Sequence, residues 1–144
     1  MTKATVKQLI FAILALGIMA FVFYNSACTA DVSDGMSGKI LAWINETFGW
    51  HLSSFIVRKV AHFLEFTALG FCLLPAIGEN IFPRIKRRFL IAGAIGFLYA
   101  ISDEVHQIFV PGRSCEFRDM CIDFAGIVLG ILIARLLVCR RKKV

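Results

Sequence analysis

Along this chain, apolar residues gather into four long runs separated by short polar strings. The runs cover roughly 6–24, 55–78, 89–102 and 120–138, and a helix needs about 20 mostly apolar residues to cross a bilayer. The pattern predicts an all-α, polytopic membrane protein: one domain over residues 1–144, built as a four-helix transmembrane bundle. A fifth element is expected between the first two runs. Over about 37–48, Ile40, Leu41, Trp43, Ile44 and Phe48 share one side of a helix while Lys39, Asn45 and Glu46 face away. Asp34 or Ser37 could cap it, and Trp43 and Trp50 bracket it. Such a segment suits a helix lying in the interface. It reads either as a plain linker or as a lid over the polar residues beyond it.

Two polar strings interrupt this pattern at the mouths of the runs. The first, RKVAHFLEF at 58–66, opens the second run. The other, SDEVHQIFVPGRSCEFRDMCIDFAG at 102–126, separates the third run from the fourth. Ionisable groups at such positions are costly in a membrane, which makes them functional-site candidates.

Composition agrees with the pattern. A 58% hydrophobic content and a mean hydropathy of +0.76 leave too few polar side chains to cover a soluble surface. The net charge of +6 suggests nucleic acid until its distribution is considered. Basic residues gather at Lys3 and Lys7, at Arg84, Lys86, Arg87 and Arg88, and at 140–143. These three places fall on one side of a four-span chain, while every acid but Glu79 falls on or near the other. The positive-inside rule then predicts N-in, C-in topology with the polar strings facing out, and no role in binding nucleic acid. The basic turn around Pro83 is expected to meet anionic headgroups. The five cysteines show no metal-ribbon or CxxC spacing. The string NSAC at 25–28 resembles a lipoprotein cleavage site, but Asn25 stands where an aliphatic residue is expected, so an uncleaved first helix is predicted.

At helical pitch, Arg58, His62 and Glu65 share an arc, with His62 about 5 Å and Glu65 about 10 Å deeper than Arg58. Asp103, His106 and Gln107 are expected on one face at the end of the third run, with Glu104 pointing elsewhere. Pro111 and Gly112 predict a β-turn that throws Arg113 back over the cluster. Arg118, Asp119 and Asp123 follow, and Asp119, Asp123, Gly126 and Gly130 share one face of the last helix. The GxxxG spacing serves close packing within the chain or between copies.

Three readings fit these residues. The charges form a self-neutralising network that ties helices together. Or His62, Glu65, Asp103, His106 and Asp119 ligate a divalent metal, although nearby guanidiniums disfavour a cation and no cofactor signature is present. Or the cluster handles an anion. In that case Arg58, Lys59 and Arg113, with Glu104, Gln107, Asp119 and Asp123, bind a phosphate or carboxylate headgroup. His62, Glu65, Asp103 and His106 then supply acid–base capability. As an enzyme, His62 acts as base oriented by Glu65, Arg113 steadies negative charge, and Asp103 is a second acid–base group. No nucleophile motif is visible, with only Ser102 and Ser114 in reach.

The strings resemble the VanZ-like family of bacterial membrane proteins. A basic residue followed by HFxEY is matched by Lys59, His62, Phe63, Glu65 and Phe66. DExxQxFxPGRxxxxxD is matched by Asp103, Glu104, Gln107, Phe109, Pro111, Gly112, Arg113 and Asp119. Gly126 and Gly130 complete the pattern. Phe66 stands in place of a Tyr and Asp123 in place of an Asn. The resemblance spans roughly residues 5–140. It implies a plasma-membrane protein conferring resistance to teicoplanin, a lipid-tailed glycopeptide, with membrane lipids, the drug or a lipid-linked wall precursor as partners.

Overall fold

The computed structural model describes residues 2–49, 53–113 and 115–139. Trp50, Ser114 and residues 140–143 lie outside these, as do the side chains of Asp34, Ser37, Ile40 and Phe48. The described chain forms α1 (Lys3–Ala27), α2 (Ala30–Phe48), α3 (Ser54–Ala76), α4 (Ile85–Gln107) and α5 (Phe117–Leu137), with no strand among the described residues. Local chemistry sets several ends. The side chains of Thr2 and Ser53 cap α1 and α3 by accepting from Thr5 and Ile56 N–H. Gly49 closes α2 at φ +67°, a left-handed stop that glycine adopts without strain.

Three of the helices are long and apolar enough to cross a membrane: Ala4–Ala27, Ile85–Gln107 and Phe117–Leu137. The expectation of four such helices is corrected here. α3 carries Arg58, Lys59, His62 and Glu65 in its first half, and those charges set it apart from the three, although it packs against all four other helices. Two further differences concern length. α4 continues in helix to Gln107, five residues past the expected 102, so its polar string is part of the helix. α2 starts at Ala30 instead of near 37 and leans on α3.

The tightest pairing is α3 with α5. Glycine permits it from both sides. A Cβ at Gly130 would lie 2.0 Å from the Thr67 carbonyl oxygen, one at Gly126 2.6 Å from that of Phe63, and one at Gly70 2.2 Å from that of Ile127. The GxxxG seam therefore serves packing within the chain. Phe66, Leu69, Leu74, Ile127 and Ile131 fill the core around it. Outside, Leu16, Phe21, Leu90, Leu98 and Leu137 are all more than half exposed, as on a lipid-facing surface.

Contacts at the helix ends fix the directions. At one end Lys7 Nζ donates to the Val138 carbonyl (3.0 Å) and Gln8 bonds Asn80. There Arg88, buried, donates to the carbonyls of Ile77 (2.7 Å) and Leu74 (3.4 Å) and to Glu79 (3.0 Å). At the other end the last turns of α1 and α4 meet the first turns of α3 and α5. So α1 and α4 run one way and α3 and α5 the other, and all four share the same two ends. We call these the basic end and the polar end.

Candidate functional site

The polar end is assembled from four elements. Lys59 on α3 pairs with Asp119 on α5. One turn deeper, His62 Nδ1 stands 3.9 Å from Asp123 Oδ1, and Asp123 is buried at 1% exposure. The glycine seam below accounts for this proximity: Gly126 and Gly130 lie on the face of α5 that carries Asp119 and Asp123, so pressing that face onto α3 brings those acids to Lys59 and His62. From α4 comes Asp103, 2% exposed, whose Oδ2 accepts from Ser26 Oγ (2.9 Å) and Gln107 Nε2 (3.0 Å).

Val110–Arg113 form the expected β-turn, with Arg113 N–H donating to the Val110 carbonyl (3.1 Å) and Gly112 at φ +78°. Arg113 does fold back, but toward α1. It donates to the carbonyls of Cys28 (3.0 Å) and Asn25 (3.2 Å) and to Gln107 Oε1 (3.4 Å). A guanidinium on the unsatisfied last carbonyls of a helix is favoured both by hydrogen bonding and by the helix dipole.

Other predicted residues sit apart from this core. Glu65 turns to α1 and accepts from Asn25 Nδ2 at 2.8 Å, so it does not orient His62. His106 stacks on Phe23 with centroids 4.5 Å apart, and among the described residues no hydrogen bond joins it to Asp103. Glu104, expected to point elsewhere, is 1% exposed and accepts the Glu116 N–H at 2.9 Å, which ties the start of α5 to α4. The helical arc was drawn for an isolated α4; packing between α1 and α5 buries Glu104 as well as Asp103 and leaves His106 at the rim. Ser102 is exposed and bonds its own Tyr99 carbonyl (2.7 Å). All five cysteines are free thiols.

Asn25 and Ser26 were missed as site residues. They were legible as the only polar pair at the end of the first apolar run, but the cleavage-site reading of NSAC drew attention away from them.

A cavity of about 90 Å³ lies between these elements, walled by Arg58, Lys59, His62, Arg113, Asp119 and Asp123 among others. Drug-sized ligands occupy pockets of about 300–1,000 Å³, so this one has room only for a small group. An apolar groove of about 280 Å³ between α3 and α5 lies beside it and shares Phe55, Lys59 and Ile122 as walls. No described residue of α2 lines either space.

The polar end is poorly satisfied. Glu65 Oε2, Asp103 Oδ1, Asp119 Oδ1 and Asp123 Oδ2 are buried without a hydrogen-bond partner, as is His106 Nε2. Each orphaned buried polar group costs about 1–3 kcal/mol, and the net stability of a whole domain is only about 5–15 kcal/mol.

No curated protein and no solved structure matches the chain. A family model, VanZ/LLP1, matches residues 11–138. That stretch carries α2 to α5, most of α1 and the whole polar end, and the chain belongs to the VanZ/LLP1 family.

Proposed function

We propose that this protein binds an anionic headgroup carried on an acyl tail, in the outer leaflet of a bacterial plasma membrane. The observation that carries the reading is the pairing of a headgroup-sized polar cavity with an apolar groove that shares three of its walls. Lys59, Arg58 and Arg113 at the cavity wall supply positive charge to the headgroup, Lys59 sharing its charge with Asp119 and Arg113 with the end of α1. The tail lies along Phe55, Ile56, Val60 and Phe63.

In this reading α3 is a fourth crossing. It shares both ends with three apolar helices, and its 23 residues reach about 34 Å at 1.5 Å per residue, against about 30 Å of hydrocarbon. Its charges face protein and cavity instead of lipid. Four crossings put both termini and the basic end in the cytoplasm, with the polar end outside. Two sources offer the required ligand chemistry there: a lipid-linked cell-wall precursor and the lipid-tailed antibiotic teicoplanin. Resistance to the latter is what the family resemblance implies.

Susceptibility of cells expressing wild type, His62→Ala and Asp103→Asn at matched membrane levels tests this. Protection against teicoplanin but not vancomycin, lost in both variants, is expected. Full protection in both variants would return the cluster to a packing role. A wild type without protection would remove the antibiotic, and binding to vesicles containing phosphatidylglycerol would then test the headgroup reading by itself.

A second reading, an acid–base hydrolase or transferase on the same headgroup, is favoured by one observation: His62 faces Asp123 across 3.9 Å at the cavity wall. His62 is then the base and Asp123, not Glu65, orients it. Water or a substrate hydroxyl then attacks, in keeping with the lack of a nucleophile motif in the sequence. Release of product from a lipid phosphate by wild type but not by His62→Ala would establish it.

A further inference from the structure

Three donors from three different helices converge beneath the cavity. One ligand atom from each of His62 (α3), Asp103 (α4) and Asp123 (α5) lies within 4.8 Å of the other two. Both carboxylates are almost wholly enclosed, and each keeps one oxygen without a partner, Asp103 Oδ1 and Asp123 Oδ2. Two carboxylates this close repel unless a proton or a cation lies between them. The sequence objected to a cation because guanidiniums and an ammonium stand nearby. The structure weakens that objection: Lys59 is paired with Asp119, and Arg113 is held by the end of α1 and by Gln107.

We infer that His62, Asp103 and Asp123 bind one divalent transition-metal ion of the zinc or manganese type. One imidazole and two carboxylates make a donor set suited to such ions. Three protein ligands leave coordination positions open, as in metal sites that go on to hold water or substrate. Sites of this kind are built in bundle cores from side chains on facing helices. Asp103 is already oriented for the task. Ser26 and Gln107 hold its Oδ2 and leave Oδ1 without a protein partner, the outer support that ligating carboxylates usually have. Ligand atoms around zinc stand roughly 3.4 Å apart, given bonds of about 2.0–2.2 Å, so donors within 4.8 Å of one another are close enough to converge on one ion with small shifts. The inference does not depend on the headgroup reading, although an ion here would add positive charge at the floor of the cavity.

The test uses the full chain in detergent, without a polyhistidine tag, stripped by a chelator and titrated with Zn²⁺ or Mn²⁺ by calorimetry. One ion per chain is expected, with affinity at least tenfold weaker in the near-isosteric Asp123→Asn and in His62→Gln. Glu79→Gln at the basic end should keep the wild-type affinity. Should the first two variants fail to fold, pulsed electron paramagnetic resonance on Mn²⁺-loaded wild type decides: a coupled imidazole nitrogen supports the site, and its absence overturns it. No stoichiometric ion in wild type, or unchanged affinity in folded variants, also overturns it. Vesicle binding measured with and without chelator separates failure of the metal site from failure of the headgroup reading.

Discussion

The two ends of the bundle use the same device and leave it in opposite states. At the basic end Arg88 caps the last turn of α3, donating to the carbonyls of Leu74 and Ile77 and to Glu79. At the polar end Arg113 caps the last turn of α1, donating to the carbonyls of Asn25 and Cys28. Around Arg88 no described side-chain polar atom is buried without a partner. Around Arg113 the orphaned atoms include four carboxylate oxygens and one imidazole nitrogen. One end is finished as structure. The other joins helices through Lys59–Asp119, Asn25–Glu65 and Ser26–Asp103 and still leaves the second oxygen of each of those carboxylates without a protein partner.

The most severe way to break this contrast is to break the frame beneath both ends. Gly130→Leu would drive a side chain into the Thr67 carbonyl and part α3 from α5. Overpacking of this kind costs about 3 kcal/mol or more where backbone cannot yield, so a large drop in thermal midpoint and loss of binding are expected together. Next is Arg88→Ala, which orphans the end of α3. A loss of about 2–4 kcal/mol in denaturant unfolding is expected, with headgroup binding per folded molecule preserved. Asp123→Asn should do the reverse. Replacing a poorly paired buried carboxyl leaves stability within about 1 kcal/mol of wild type or slightly raises it, while Zn²⁺ affinity falls at least tenfold. If Asp123→Asn destabilised the protein as much as Arg88→Ala, the two ends would not differ in kind. Asn25→Ala should be mildest, about 1 kcal/mol for one hydrogen bond to Glu65, read by chemical denaturation.

Most of the helix pattern was legible because it depends on periodicity, which each helix carries within itself. The PGR turn was legible for the same reason, since Pro111 and Gly112 dictate their own backbone. What could not be read was partner choice. Arg58, His62 and Glu65 share an arc by pitch, yet His62 meets α5 and Glu65 meets α1, because a helix at the centre of a bundle has neighbours all round. Counting apolar residues missed this centrality too, which is why α3 was grouped with the spans that face lipid. The partners of Arg113 were hidden for a further reason. Backbone carbonyls at the end of α1 are present whatever the sequence, so no residue type announces them.

The shared walls of the polar cavity and the apolar groove have a consequence for affinity. A ligand that arrives by diffusing within the leaflet is drawn from a two-dimensional pool, where its local concentration is set by its mole fraction among lipids and not by its amount in solution. Under those conditions a weak site fills readily. On the proposed headgroup reading, selectivity then comes from which molecules partition into the leaflet at all, and Phe55, Lys59 and Ile122 are the walls that head and tail share.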